Sequence, residues 1–266
     1  MIHLRPLFLR SVVVAFLLML SGCRGSRLVH MDDEAKRAGR TAESFPAADV
    51  DYFHDMDGGA TLTGDEVKGR NMWIVWTGGD DRMWNTLATT SLGTLDFLKT
   101  ISSHSGLPAM RSNRWDYLGL VNEPCYKQAT GPDPKRYGLW LDQRDPACGP
   151  DPFEDETKYP GVQIGARGKN IPAGSYYGYA TGIVGLRLFP NPDFDEAAAK
   201  RWNAERFYTD SSYYNDRKLV RPYRVGMSCG FCHVGPNPLK PPADPENPKW
   251  ENLSSNVGAQ YFWIDR

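Results

Sequence analysis

The apolar residues of this chain occur in short runs that are separated by stretches rich in glycine and proline. Residues 71–77 (NMWIVWT) form one such run, with glycines on both sides, and this pattern predicts a buried strand. Residues 115–121 and 182–189 predict two further strands in the same way. Residues 122–175 are dominated by turn-forming residues, which predicts that this stretch is mostly loop.

Two segments carry a helical pattern. Apolar residues recur at roughly helical spacing over residues 82–102, which predicts an amphipathic helix weakened at Gly93. Residues 197–207 form a helix by propensity, and Asp193 with Glu196 resembles a capping box at its start. Because few helices can be placed, we expect an α+β fold with a loop-rich N-terminal region.

The composition agrees with this expectation. The chain has 266 residues, including 26 glycines and 20 prolines, and its aromatic residues are 8 Trp, 13 Tyr and 11 Phe. These counts suit a loop-rich fold whose core is built from large rings. The formal net charge is −1, without the basic excess that a nucleic-acid partner requires, so no nucleic acid is expected.

Residues 55–66 place oxygen-bearing side chains at offsets similar to those of an EF-hand calcium loop. The sixth place of such a loop requires glycine for a sharp turn, and Ala60 occupies it here. Gly59 stands at the fifth place, where a side-chain oxygen is needed. A plain glycine-rich turn is therefore the favoured interpretation, with calcium binding near Asp55 as the alternative.

The N-terminus has the pattern of an export signal. Arg5 and Arg10 supply positive charge around the start of an apolar run at residues 11–20 (SVVVAFLLML). That run is too short to span a bilayer comfortably. Residues 1–22 are therefore predicted to be a signal peptide.

The apolar run leads into the letters LSGC at residues 20–23, which resemble the lipobox of bacterial lipoproteins. In that family the signal is removed before the cysteine, which then carries lipid, so the resemblance implies a membrane anchor on Cys23. Arg24 in the following position implies the outer membrane. Residues 23–50 are polar and are predicted to form a lipidated, flexible tether. The alternative is an ordinary signal peptide followed by an incidental cysteine.

Residues 229–233 (CGFCH) carry the most specific chemical pattern in the chain, because C-x-x-C-H is the attachment signature of c-type haem. The thiols of Cys229 and Cys232 would add across the haem vinyl groups, and His233 would supply an imidazole nitrogen to the iron. The alternatives are half of a zinc site, which needs a second ligand pair, and a redox dithiol. A dithiol usually starts a helix after a buried strand, whereas proline-rich sequence follows here. Haem is favoured.

The motif and the residues after it resemble c-type cytochromes. In that family a His…Gly-Pro segment follows the haem motif, and the proline carbonyl accepts a hydrogen bond from the proximal imidazole. The resemblance therefore implies this role for Pro236, although Gly235 and Pro236 follow His233 more closely here than in small cytochromes. It also implies one covalent haem c, held by a cytochrome c-like segment at residues 221–266.

Basic residues lie just upstream of the motif. Arg221 or Arg224 could clamp a haem propionate, with Tyr223 as a hydrogen-bond donor, because a guanidinium can bind a carboxylate through two bonds. The alternative is a solvated basic face beside Asp216. Four aromatic residues downstream can form either apolar haem walls or ordinary core: Trp250, Tyr261, Phe262 and Trp263.

The second axial ligand of the iron is not evident. No methionine or histidine follows His233, whereas small electron-transfer cytochromes place one well downstream of the motif. The iron would then be five-coordinate, or bound by an upstream residue, or bound beyond Arg266 if the haem-binding segment is truncated, as we expect. The upstream candidates are His54, His104, Met56, Met72, Met83, Met110 and Met227.

Two of the five cysteines remain after the lipid and haem assignments. Cys125 and Cys148 are predicted to form a disulfide, because exported proteins fold in an oxidising compartment. Two unpaired buried thiols are the alternative.

These features predict a membrane-tethered c-type cytochrome on the periplasmic side of a bacterial membrane. It would exchange electrons with a periplasmic redox partner, more as a carrier than as a catalyst. The role of residues 51–220, predicted to form an α+β domain, is not assigned. The alternatives are a haem sensor and a haem enzyme similar to dihaem peroxidases or rubber-cleaving dihaem oxygenases. Those enzyme families carry two haem motifs, and this chain has one.

Overall fold

The computed structural model describes residue 36 and residues 39–161 and 174–263. The chain divides into two units, residues 1–34 and 35–266, and every described residue lies in the second unit. The predicted signal peptide, the predicted lipidation site Cys23 and the first part of the tether lie outside the described residues. Within the described ranges, no helix has the length and apolar character needed to cross a membrane.

The helices are short and are numbered in chain order. They are α1 (Gly64–Val75), α2 (Asp81–Thr90), α3 (Phe97–Thr100), α4 (Arg114–Leu118), α5 (Glu196–Arg201), α6 (Ala204–Thr209), α7 (Ser211–Tyr214) and α8 (Gly230–His233). Turns of 3₁₀ helix occur at Ala42–Ser44, Arg111–Asn113, Pro134–Arg136, Pro152–Glu154 and Trp250–Asn252.

The strands of the described ranges form three small antiparallel sheets. They are β1 (Tyr126–Lys127), β2 (Gln143–Arg144), β3 (Tyr179–Ala180), β4 (Leu186–Pro190), β5 (Tyr223–Met227), β6 (Val234–Pro236) and β7 (Leu253–Ser255). β1 pairs with β2, β6 pairs with β7, and β4 lies between β3 and β5. In the central sheet Leu186 is opposite Met227, and Pro190 is opposite Tyr223. The fold is therefore mixed α and β, as expected.

The predicted strand at residues 71–77 is wrong, because α1 covers most of it. Thr63 and Glu66 form a capping box: the Glu66 carboxylate accepts from the Thr63 amide at 2.8 Å, and the Thr63 hydroxyl accepts from the Glu66 amide. This cap starts a helix that continues through the apolar run. A short, continuous apolar run does not distinguish a buried strand from a buried helix. The capping role also gives Glu66 a function unrelated to calcium.

The predicted strand at residues 115–121 is also wrong, because residues Arg114–Leu118 form α4. The Glu246 carboxylate accepts hydrogen bonds from the amides of Trp115 (2.9 Å) and Asp116 (3.1 Å), which start the helix. Gly119 ends it in the left-handed conformation, with φ of 66°. The partner that starts this helix lies more than a hundred residues away, so no local pattern reveals it.

The other predicted elements are recovered in part. The helix predicted over residues 82–102 is split into α2 and α3, and Gly93 lies in the break with φ of 82°. The helix predicted over residues 197–207 is split into α5 and α6, and Asp195 caps α5 instead of Asp193. The strand predicted at 182–189 is present in its second half as β4. The described part of 122–175 is mainly loop.

The buried side chains form two clusters. The first packs around the central sheet and includes Leu186, Val225, Phe207 and Phe231. The second is rich in aromatic rings from loops and includes Phe53, Phe153, Tyr159, Tyr177 and Val234. Because Phe231 belongs to the first cluster and Val234 to the second, the segment that joins them is anchored at both ends.

Cys125 and Cys148 form the predicted disulfide, with Cα atoms 6.0 Å apart. The bond joins two cysteines that are 23 positions apart in the sequence. Restricting the unfolded chain in this way contributes about 3 kcal/mol to stability. The prediction is confirmed.

A substitution at Gly185 tests how closely the start of β4 packs against the segment that follows β5. The φ of Gly185 is +83°, and a Cβ atom added there would lie 2.1 Å from the backbone nitrogen of Phe231. We expect Gly185→Ala to destabilise the protein by about 2–4 kcal/mol, because the substitution adds both backbone strain and overpacking. Chemical denaturation measures this change.

Gly131→Ala is the matched control, because no atom lies within 4 Å of its added Cβ and its φ is unexceptional. Its effect should stay within about 1 kcal/mol. Equal stability of the two variants would contradict the close packing at Gly185.

Candidate haem-attachment site

The C-x-x-C-H motif forms a single helical turn between β5 and β6. The amides of Cys232 and His233 both donate to the carbonyl of Cys229, each at 3.3 Å. Residues three and four apart lie on the same side of a helical turn. Cys229, Cys232 and His233 therefore share one face, and Phe231 points away from it into the core.

The turn is fixed by close packing on its inner side. The Phe231 ring lies 5.3 Å from the Phe97 ring and 5.1 Å from the Phe262 ring, measured between centroids. Gly230 packs against α1, since an added Cβ would lie 3.3 Å from Cα of Ile74. The Ser228 hydroxyl donates to the Ile74 carbonyl at 2.6 Å. These contacts hold the backbone that presents the two thiols.

Both motif cysteines are free thiols with different environments. Cys229 is exposed and Cys232 is half-buried. Burial, followed by the nearby Cys229, raises the pKa of the Cys232 thiol.

His233 is oriented by the backbone of the C-terminal segment. Its Nδ1 lies 2.6 Å from the carbonyl oxygen of Ala259. A carbonyl oxygen can only accept, so Nδ1 carries the proton and Nε2 of the neutral ring presents a lone pair. This is the arrangement that a metal-binding histidine requires.

The carbonyl that orients His233 differs from the expected one. The prediction that the Pro236 carbonyl orients His233 is wrong. The acceptor is the Ala259 carbonyl, and Pro236 lies in β6 opposite Leu253. The shorter spacing between His233 and Pro236 places the proline in a strand that leads away from the turn. No sequence signal identifies Ala259, because a backbone acceptor can come from any residue type.

Residues 256–263 cover the motif through further backbone bonds. The amide of Asn256 donates to the His233 carbonyl at 2.8 Å, and the amide of Tyr261 donates to the Cys232 carbonyl at 3.0 Å. The Tyr261 ring lies directly on Gly235, where an added Cβ would approach it to 2.2 Å. The motif therefore depends on this segment for the satisfaction of its carbonyl groups.

The predicted aromatic walls fall in different places. Tyr261 and Phe262 lie against the motif, as described above. Trp250 instead packs on Phe53, with ring centroids 4.9 Å apart, in the second core cluster. A ring that sequence inspection missed, Trp73 of α1, lies 5.8 Å from the His233 ring.

Arg221 and Arg224 already have carboxylate partners. Arg221 pairs with Asp96 at 2.8 Å, and both side chains are buried. Arg224 pairs with Asp193 at 2.6 Å. Each guanidinium is thus already engaged by a protein carboxylate, and the predicted propionate clamp stays a prediction.

Several upstream candidates for the second axial ligand are engaged elsewhere. His104 stacks on Tyr208 at 4.4 Å, and its Nε2 lies 3.2 Å from Glu205. The sulfur atoms of two methionines accept hydrogen bonds, Met72 from Tyr177 and Met110 from Gln128. Four candidates remain. Met56 is buried in the second cluster, and His54 lies next to Asp55. Met83 is exposed, and Met227 is the last residue of β5.

Asp80 links α2 to the strand that leads into the motif. Its carboxylate accepts from the Met227 amide at 3.0 Å and from the Trp84 indole at 2.9 Å. Burial raises the pKa of Asp80 to about 6. The group is therefore mainly ionised at pH 7, when it holds the end of β5.

The arrangement bears on the two alternatives to haem. The motif does begin a helix directly after a buried strand, which removes one argument used against a redox dithiol, but α8 is a single turn. In the described ranges no three His, Cys, Asp or Glu side chains are grouped so as to hold a metal ion. The shared face, the exposed thiol and the available Nε2 fit a c-type haem.

No protein-family model, curated protein or solved structure matches the chain. The residues of the site therefore carry the functional argument alone.

The Arg221–Asp96 pair gives a prediction about the surroundings of the motif. We expect Arg221→Gln to destabilise the protein by about 3–5 kcal/mol, because it leaves a buried carboxylate without its cation. Thermal or chemical unfolding of the purified protein measures the effect.

Arg201→Gln is the matched control, since Arg201 pairs with Asp216 at 3.2 Å on the surface with both side chains exposed. It should cost less than about 1 kcal/mol. A small effect of Arg221→Gln would show that Arg221 is held weakly and is free to bind another carboxylate.

Proposed function

We propose that this chain is an exported, lipid-anchored c-type cytochrome that transfers electrons through one covalently bound haem. The observation that carries the proposal is the shared face of Cys229, Cys232 and His233, combined with the Nδ1 contact of His233 to the Ala259 carbonyl. That contact selects the tautomer in which Nε2 can bind iron.

Each motif residue has a defined role in this proposal. Cys229 and Cys232 would hold the haem through one carbon–sulfur bond each, formed by addition of S–H across a vinyl group with the hydrogen ending on the neighbouring carbon. His233, oriented by the Ala259 carbonyl, would supply Nε2 to the iron. A haem held in this way supplies one-electron redox chemistry.

The proposed location is the periplasmic side of a bacterial membrane, through lipid on Cys23. The disulfide between Cys125 and Cys148 supports export, because such bonds persist in oxidising compartments. The partner would be a periplasmic redox protein, and the nearly balanced charge gives no support to a nucleic-acid partner.

A haem enzyme or sensor with an open iron position is the second candidate. The specific observation in its favour is that His104, Met72 and Met110 are engaged with other side chains. An iron with one protein ligand can bind oxygen, peroxide or carbon monoxide. The two candidates differ in this property and can be separated by one spectrum.

The spectrum of the haem-loaded protein, oxidised and reduced, with and without carbon monoxide, tests the choice. Electron transfer predicts low-spin bands that carbon monoxide leaves unchanged, because two strong axial ligands close the iron. A high-spin ferric spectrum with ready carbon monoxide binding would instead support the enzyme or sensor.

Two conservative variants identify an upstream ligand if the spectrum is low-spin. Met83→Leu removes the sulfur of an exposed side chain, and Met227→Leu removes that of a half-buried side chain that packs against the first core cluster, two residues before Cys229. Conversion to a carbon monoxide-binding form in one variant and not in the other would name the ligand.

A further inference from the structure

A cleft of about 240 Å³ lies in the region whose role the motif does not explain. Its lining comes from the 3₁₀ turns Pro134–Arg136 and Pro152–Glu154, from strands β1 to β4 and from residues near them. It includes none of the motif residues. The volume is several times that of a water molecule and matches a small metabolite.

Part of the lining is aliphatic. Ile101, Leu141 and Leu188 contribute this part, and all three belong to the first core cluster. An aliphatic group of a few carbon atoms would replace water there with a gain in free energy.

The cleft presents a guanidinium without an ion-pair partner in the described part of the chain. Arg136 lies over the ring of Tyr179 at 4.9 Å and over the ring of Tyr223 at 5.6 Å. Those rings position the cation without neutralising it. A guanidinium held in this way is suited to bind a carboxylate through two hydrogen bonds.

The cleft also presents a carboxylate that no cation pairs with directly among the described residues. Glu154 accepts a hydrogen bond from the Ala180 amide at 2.7 Å through one oxygen. The nearby Arg187 is taken by Asp151 at 2.6 Å and by two backbone carbonyls. Burial raises the pKa of Glu154, as expected for a carboxylate short of positive charge.

Two other charged groups of the lining have ion-pair partners, whereas the Asp133 carboxylate accepts a hydrogen bond from the Lys135 amide at 2.8 Å and two polar groups have no partner among the described residues. Asp142 pairs with Arg114 at 2.9 Å, and Arg144 lies 3.4 Å from Glu123. By contrast, the Tyr126 hydroxyl and the Gln143 amide have no hydrogen-bond partner in the described ranges. These two groups are available to a ligand.

We propose that this cleft binds an α-amino acid with a short aliphatic side chain. Arg136 receives the carboxylate, Glu154 receives the ammonium group, and Ile101, Leu141 and Leu188 receive the side chain. A simple anion would leave Glu154 without a partner, and a simple amine would leave Arg136 without one. The site is independent of the haem and assigns a ligand-binding role to part of residues 51–220.

Calorimetric titration of the exported, full-length protein tests the proposal with three matched probes. L-Valine carries both charges, 3-methylbutanoate lacks its ammonium group, and isobutylamine lacks its carboxylate. We expect L-valine to bind and each of the other two to bind at least about tenfold more weakly, because each loses one charged hydrogen-bonding group.

Substitutions connect binding to the cleft. Arg136→Gln and Glu154→Gln should each weaken L-valine binding at least about tenfold. Arg206→Gln should leave it unchanged, since Arg206 pairs with Asp210 on an exposed face. Each variant is first compared with the parent protein by thermal unfolding, so that a loss of fold is not mistaken for a loss of contact.

Three results would overturn the proposal: no L-valine binding at millimolar concentration, equal binding of the three probes, or unchanged binding in both cleft variants. The double variant Cys229→Ser/Cys232→Ser separates this proposal from the haem. It should bind L-valine as well as the parent protein does, and loss of binding in that folded variant would contradict an independent site.

Discussion

The site depends on the close contact between Gly185, which directly precedes β4, and the helical turn of the motif. Gly185 meets the backbone of Phe231 with no space for a Cβ, and Gly230 packs closely on α1, where an added Cβ would lie 3.3 Å from Cα of Ile74. Between these two contacts the Phe231 ring fills the first core cluster. The backbone of the turn is thereby fixed before any cofactor is considered, and the side of the turn opposite Phe231 carries the exposed Cys229, the half-buried Cys232 and His233.

Buried ion pairs connect distant parts of the chain in regions that have little regular secondary structure. Arg114 of α4 pairs with Asp142 at 2.9 Å, and Arg187 of β4 pairs with Asp151 at 2.6 Å, so each pair ties a short element to a distant loop. Such pairs add little net stability, yet breaking one is costly. This also explains why Arg221, which looks free in the sequence, is committed to Asp96.

The sequence predicts the features that depend on local chemistry. The Cys125–Cys148 disulfide follows from residue type and from the predicted compartment, and the predicted weak point at Gly93 lies where the helix is divided into α2 and α3. The two predicted strands that proved to be helices depended on other signals: a capping box that starts one, and a remote carboxylate, Glu246, that starts the other. Within the site, the motif is evident from five letters, whereas the Ala259 acceptor is set by the path of the backbone and leaves no trace in residue identity.

Covalent attachment of haem at the motif is tested most directly by the intact mass of the exported protein. The protein is produced in a Gram-negative host that matures c-type cytochromes, then denatured and reduced before mass measurement. We expect an added mass of one haem that survives denaturation and is absent from Cys229→Ser/Cys232→Ser. A parent protein without that mass, purified from cells whose own c-type cytochromes are loaded with haem, would contradict it.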